Sequence, residues 1–241
     1  MTGPVMFKKI AIIGLGLMGG SLAAACRKRF PRARIVGITR NPTALALAKK
    51  KKWIHEGTRD IALGASGADV VVLCTPVGTY LPILKKIDRV CEKDALVMDV
   101  GSVKASVAAE VNRTKWENLS FVGCHPMAGS QERGIEAADP SLYDGGLILL
   151  AKDAKTCPRS LKQARQFWRH FSDRIAVLDP RLHDELVGQV SHLPHAVAVC
   201  LVRAIAPSAL KFAATGFRDT TRIAASDSSI WQPIFKANRK V

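Results

Sequence analysis

Over roughly the first three quarters of the chain, apolar residues gather in short runs separated by stretches of helical composition. Ile10-Ala11-Ile12-Ile13 is apolar at every position, which predicts a strand buried on both faces. It leads into Gly14-Leu15-Gly16-Leu17-Met18-Gly19 and then a small-residue apolar stretch that reads as a helix through about Lys28. "RIVGIT", Arg34 to Thr39, predicts a second strand, and the Ala- and Leu-rich Pro42 to Lys51 a helix. "DVVVLCTP", Asp69 to Pro76, predicts a third strand, β-branched and closed by proline. "ALVMDVGS", Ala95 to Ser102, predicts a fourth, with a helix from Val103, and "SFVGCHP", Ser120 to Pro126, a fifth. "GLILLA" and "RIAVLD" read as further strands flanking a helix from Ser160 to Phe171. This alternation predicts an α/β fold with a doubly wound, mostly parallel sheet and right-handed crossovers.

After Asp179-Pro180 the strand pattern stops. Arg181 to Ala206 reads as one long helix interrupted at Pro194, because an interior proline removes a donor. The remainder, through "TTRIAAS" and "SIWQPIFKANRKV", reads as loop and helix. The predicted organisation is therefore an α/β domain over 1–179 and an all-helical domain over 180–241.

The glycine pattern gives the first domain its ligand. In a strand-to-helix turn, Gly14 permits the tight bend, Gly16 lets backbone approach a pyrophosphate, and Gly19 allows close helix–strand packing. The helix N-terminus then faces the phosphates. About 20 residues on, an NAD site usually carries a carboxylate for the ribose hydroxyls. Here the position reads Thr39, then Arg40 and Asn41. Hydroxyl and guanidinium groups receive a 2′-phosphate that a carboxylate repels, so the sequence favours NADP, with NAD as the other candidate. The expected cofactor contacts are Gly14, Leu15, Gly16, Leu17, Met18, Gly19, Thr39 and Arg40, with Cys74, Thr75 and Pro76 at the end of the third strand.

Charge adjusts this picture only slightly. Lys plus Arg number 36 against 20 Asp plus Glu, a net charge of +16. The basic residues are spread along the chain without interleaved aromatics or a recognition motif, which points to small anionic ligands and not to nucleic acid. Lys49-Lys50-Lys51-Lys52 reads as the solvated end of a helix. Six scattered cysteines without a CxxC predict neither a metal cluster nor a disulfide framework. No consecutive apolar run reaches the ~18 residues of a membrane span, and Met1 to Lys8 has no signal-peptide pattern, so a cytoplasmic protein is expected.

Candidate chemistry lies where the strands end. "VGCHPMAGS" puts His125 just beyond a strand, on the edge that faces the ligand crevice of an open α/β sheet, where an imidazole can exchange protons near neutral pH. Ser102 in "DVGSVK" offers a hydroxyl on the same edge and also reads as the N-cap of the next helix. "VSHLPHAV" carries His192 and His195 at helical spacing; no third ligand accompanies them, so no metal is predicted. Arg222 in "GFRDTTRIAAS" is a candidate carboxylate fork.

Taken in order, "GLGLMGGSLA", "LCTPVG", "DVGSVK", "HPMAGS", "VSHLPHAVA", "GFRDTTRIA" and the later Trp231 resemble the prephenate/arogenate dehydrogenase family of tyrosine biosynthesis over nearly the whole chain. The resemblance implies a Rossmann domain followed by a helical dimerisation domain. It further implies NAD(P)-dependent oxidative decarboxylation of a cyclohexadienol, prephenate or arogenate. By that resemblance His125 takes the substrate hydroxyl proton, Ser102 orients the hydroxyl, His195, Arg222 and Trp231 bind substrate, and Gln131 faces the side chain. The neutral Gln131 favours the keto acid prephenate over the ammonium-bearing arogenate, whereas a one-residue shift in the loop would point Glu132 inward instead. Members of the family continue in helix beyond the point where this chain stops, so the resemblance implies a helical domain incomplete here, and a homodimer where that domain is whole. One alternative is another reductase of this fold, such as a β-hydroxyacid dehydrogenase; the absence of lysine between Arg181 and Ala206 argues against it. The other is a non-catalytic NADP sensor, which gives no reason for His125, His195 and Arg222.

Overall fold

The computed structural model describes residues 7–129 and 132–239. Strands β1 (Lys9–Ile13), β2 (Arg34–Ile38) and β3 (Glu56–Thr58) alternate with helices α1 (Leu17–Arg29) and α2 (Pro42–Lys50). Then come α3 (Ile61–Ala65), β4 (Val70–Leu73), α4 (Tyr80–Ile87), β5 (Ala95–Asp99), α5 (Ala105–Val111) and β6 (Leu119–Val122). These six strands form one parallel sheet in the order β3-β2-β1-β4-β5-β6. That is the Rossmann order, and its reversal between β1 and β4 opens a crevice at the strands' C-terminal ends. Successive residues of each central strand feed opposite layers. Ile10, Ile12, Val70, Val72 and Met98 pack with Leu22, Phe167 and Trp168, while Ala11, Ile13, Val71, Leu73 and Val97 pack with Leu84, Ile87 and Val107. This is why the strands read as unbroken apolar runs. The four lysines from Lys49 to Lys52 are exposed, at the end of α2.

A second, three-stranded sheet follows: β7 (Cys124–Pro126), β8 (Ile148–Ala151) and β9 (Ile175–Leu178), ordered β7-β8-β9, with α6 (Pro158–Arg169) between the last two strands. The single strand expected over Ser120 to Pro126 is thus two strands. Gly123 divides them, and a Cβ there would lie 3.0 Å from the Lys104 side chain and 3.2 Å from Ala151. The chain turns at that point and β7 pairs antiparallel with β8, His125 opposite Leu149. Pro126 is tolerated because β7 is an edge strand.

Among the described residues, only helical elements follow β9: α7 (Pro180–Val187), a π turn (Gly188–His192), α8 (Leu193–Ala204), α9 (Pro207–Leu210), α10 (Thr215–Thr221), a 3-10 turn (Arg222–Ala225) and α11 (Ser228–Ala237). Asp179 starts α7 by accepting from Arg181 N at 2.8 Å, with Pro180 in the first turn. The expected break at Pro194 does not occur. The irregularity is the π turn just before it, whose wider hydrogen-bond spacing lets the helix pass Pro194, which has no N–H to donate, without ending. From Pro180 to Ala204 the helix runs 25 residues, long and apolar enough by length and composition to cross a membrane. Its buried positions include His183, Asp184, His192 and His195, so its inner face is polar.

Candidate active site

The β1–α1 turn has the shape that dinucleotide binding needs. Gly14 adopts φ +98°, and a Cβ there would lie 2.6 Å from the Cys74 carbonyl oxygen. A Cβ on Gly19 would fall 1.8 Å from the Gly14 carbonyl oxygen, so α1 rests directly on the turn. By contrast, nothing among the described residues lies within 4 Å of a Cβ on Gly16, leaving its backbone open to a phosphate. Gly14 N donates to Ile38 O at 2.8 Å, which joins the turn to the end of β2. Thr39 and the exposed Arg40 follow there, and Thr39 Oγ1 accepts from Asn41 N at 3.3 Å. Leu15 is buried; Leu17, Met18, Cys74 and Thr75 are partly exposed, and Pro76 leads into a 3-10 turn over Val77–Thr79. Burial, followed by the nearby Asp99 charge, raises the Cys74 thiol pKa, so it acts as a neutral wall of the crevice.

Past the end of β6 lies a buried polar cluster that is much larger than the expected single histidine. His125 Nδ1 is 3.0 Å from His183 Nε2, and His183 Nδ1 is 2.8 Å from Asp184 Oδ1. The Asp184 carboxylate also receives Lys104 N at 2.8 Å and Ala105 N at 2.9 Å. These contacts correct two expectations. Helix α5 begins at Ala105 rather than at Val103, and its first amides are capped by Asp184 from α7, so Ser102 is not the N-cap. Ser102 lies half-buried in the turn between β5 and α5. His125 is also not a residue just past a strand: it is three residues beyond β6 and central in β7.

Next to this cluster, Lys104 Nζ pairs with Asp99 Oδ2, both side chains fully buried. Asp99 also accepts from Gly101 N and Cys124 N, each at 2.9 Å, which ties the ends of β5 and β7 together. Burial, then the Lys104 charge and the neighbouring His183 and His192 rings, pushes the His125 pKa well below its ordinary value, so its imidazole is neutral near pH 7. Burial raises the Asp184 pKa, but its bonds from His183 and the Lys104 and Ala105 amides outweigh that and bring it below the usual range.

The helical segment adds an aromatic wall. His195 stacks on Trp231 at 3.6 Å and 9° between planes, with Phe235 beside both. His192 meets Trp231 edge-on at 6.0 Å, and its Nδ1 accepts from Asn238 Nδ2 at 3.1 Å. Among the described residues, His192 Nε2 and His195 Nδ1 are buried without a hydrogen-bond partner, the condition a polar ligand relieves. Burial lowers the pKa of both rings. Arg222 lies exposed on the 3-10 turn, which packs against α8. Arg133, in the loop that follows His125, pairs with Asp227 at the start of α11 at 2.5 Å, holding that loop to the helical segment. Gln131 lies outside the described residues.

The structure therefore sets His125 against His183, and brings His192 and His195 onto Trp231. It adds His183, Asp184, Lys104 and Asp99, which the sequence reading did not select. The only local signal for His183 and Asp184 was a His-Asp pair in the first turn of the helix after the last strand.

A Rossmann sheet with an open glycine turn, a buried neutral imidazole beside its crevice and a helical second part define a two-part dinucleotide-binding protein. Family-level comparison narrows this. The "Prephenate dehydrogenase, nucleotide-binding domain" profile matches residues 22–177, and the "Prephenate dehydrogenase, dimerization domain" profile matches 179–241. The chain belongs to the prephenate dehydrogenase family. It is 34% identical to a prephenate dehydrogenase of Lactococcus lactis over 97% of its length, and 33% identical to one of Bacillus subtilis over 95%. It spans 66% and 64% of those two proteins. Among solved structures it is similar to prephenate dehydrogenase of A. aeolicus in complex with hydroxyphenyl propionate and NAD+. The identity is 35% and the TM-score 0.89, covering 98% of this chain and 84% of that one.

Proposed function

We propose that this protein oxidatively decarboxylates prephenate to 4-hydroxyphenylpyruvate in tyrosine biosynthesis, with NADP+ preferred over NAD+. The observation that carries the reading is the neutral, buried His125, held by its Nδ1 side, in a fold whose β1–α1 turn is shaped for a dinucleotide. Gly14, Gly16 and Gly19 fit the pyrophosphate, and Thr39 and Arg40, without a carboxylate, favour a 2′-phosphate. When bound there, the oxidised nicotinamide supplies the hydride acceptor.

The residues of the chain supply the rest. His125 takes the proton of the substrate hydroxyl as hydride leaves the same carbon, which relieves the positive charge developing there. The ring C–CO2 bond then breaks, its electron pair enters the ring, CO2 departs, and the ring oxygen takes back the proton held by His125 to give the phenol. Aromatisation drives this step, so the protein mainly positions the reacting groups and excludes water. Ser102 orients the hydroxyl, and the unpartnered His195 Nδ1, the Trp231 face and Arg222 hold the substrate. Gln131, neutral, suits the keto acid. A homodimer through the helical part is supported by Val190, Leu193 and Val197, 70%, 58% and 54% exposed, which line up on one side of the long helix.

The test follows NADPH absorbance with NADP+ and either prephenate or arogenate. Turnover of prephenate is expected, and His125→Asn should lower kcat by at least about 10²-fold with cofactor binding intact. Near-normal turnover in His125→Asn, or no turnover of either substrate by the unaltered protein, refutes the reading.

A further inference from the structure

We infer that His183 and Asp184 are positioning residues that fix the tautomer of His125, so that its Nε2 is the nitrogen that receives the substrate proton. This rests on the reading of His125 as the base.

The argument is a count of protons. An ionised carboxylate only accepts hydrogen bonds. Asp184 is ionised at neutral pH, its pKa being held low by its donors, and its Oδ1 is 2.8 Å from His183 Nδ1. His183 Nδ1 therefore carries a hydrogen. In a neutral His183, Nε2 is then a bare acceptor. That Nε2 is 3.0 Å from His125 Nδ1, so the hydrogen between the two rings belongs to His125. A neutral His125 that carries hydrogen on Nδ1 has its lone pair on Nε2. The opposite order needs hydrogen on both nitrogens of His183, a further cation beside the buried Lys104.

The relay is built to stay in place. His183 is 0% exposed and Asp184 1%, on the first turns of a helix whose start is set by Asp179 and Pro180. The carboxylate is locked by the Lys104 and Ala105 amides, and the Asp184 carbonyl accepts from Asn238 Nδ2 at 3.0 Å. Asp184 thus fixes two elements together: the start of α5, next to Ser102, and the orientation of the ring that faces the substrate. When His125 takes a proton it becomes an imidazolium. Its Nδ1–H then donates more strongly to His183, and the Asp184 charge stabilises the cation through that ring, as a buried carboxylate does behind the histidine of a hydrolase triad.

Two measurements test this. The first is a long-range proton–nitrogen correlation spectrum of the 15N-labelled unaltered chain at neutral pH, with His125→Asn and His183→Gln used for assignment. The expected spectrum has hydrogen on Nδ1 and a bare Nε2 in both rings. Hydrogen on His125 Nε2, or on both nitrogens of His183, overturns the inference. The second measurement compares turnover. His183→Leu should lower kcat at least about 10-fold while the KM values for prephenate and NADP+ stay within about twofold, because only the direction of the base is lost. His183→Gln puts an amide oxygen near the former Nε2 and should keep kcat within about threefold of the unaltered protein. Equal kcat in His183→Leu and the unaltered protein overturns the inference, as does a His183→Gln no better than His183→Leu. If the unaltered protein turns over neither prephenate nor arogenate, the proposed function falls, and the spectrum, which needs no activity, decides this inference alone.

Discussion

Replacing Lys104 with methionine tests the buried pair beneath the site. The Lys104 and Asp99 side chains are 1% and 0% exposed, so water cannot take over the charge that remains. Methionine fits the channel that the lysine stem occupies over Gly123. Removing one partner of a buried ion pair costs about 3–5 kcal/mol. Here two backbone donors, Gly101 N and Cys124 N, still serve the carboxylate, which places the cost near the lower end, about 3 kcal/mol. For a domain stable by about 5–15 kcal/mol, that shifts the folding equilibrium by about 10²-fold. Asp99→Asn combined with Lys104→Met leaves neither charge of the pair and should recover to within about 2 kcal/mol of the unaltered protein, the difference being the one backbone N–H that then faces the Asn nitrogen and loses its acceptor. Urea denaturation followed by tryptophan fluorescence reads both variants, with the m-value as the check that the transition is unchanged. A single variant that loses less than about 1 kcal/mol, or a double variant no more stable than the single, would show that Lys104 is not needed to neutralise Asp99. The single variant should also move the acid limb of kcat/KM to higher pH, since the Lys104 charge is one of those that depress His125.

Three other outcomes follow from the same geometry. Arg40→Asp should reverse the cofactor preference, a charge-assisted contact of about 1.5–3 kcal/mol corresponding to roughly 10- to 100-fold in the kcat/KM ratio; an unaltered protein that uses NAD+ as well as NADP+ removes the argument. Arg222→Ala should raise the prephenate KM by about 10- to 100-fold and leave the NADP+ KM nearly unchanged, whereas an equal rise for both would point to a folding defect. Stability should decline as pH falls below about 6.5, the ordinary histidine value, towards the depressed folded values of His125, His192 and His195, because the unfolded chain binds protons that these buried rings refuse. Urea midpoints at pH 7.5 and 5.5 check this, and equal midpoints refute it.

The sheet was legible because each central strand is apolar on both faces and the turns between elements carry glycine or proline. The glycine turn and its neighbours Cys74 and Thr75 came from the same local logic. The division at Gly123 was not legible: glycine interrupts no apolar run, and the reason for the turn is a partner strand over 20 residues away, β8. His183 and Asp184 were hidden because polar residues in the first turn of a helix usually face water, and only the docking of α7 on α5 buries them. "DVGSVK" was noticed for Ser102, while its buried ion pair, Asp99 with Lys104, spans the motif and is visible only once the strand and helix have folded over Gly123.

The π turn between α7 and α8 has a consequence for angular phase. A regular helix advances about 100° per residue. Nine residues separate His183 from His192, so an uninterrupted α-helix would set them about half a turn apart, one ring inward and the other outward. Yet both are buried, as is His195. The wider turn over Gly188–His192 absorbs about one extra residue, which rotates everything after it back by about 100° and brings the two sets of rings to the same side. A one-residue deletion within that turn would restore an ordinary hydrogen-bond ladder while keeping the rings in phase. The same deletion anywhere else between His183 and His195 would turn His195 and its stacked Trp231 by about 100° relative to His183.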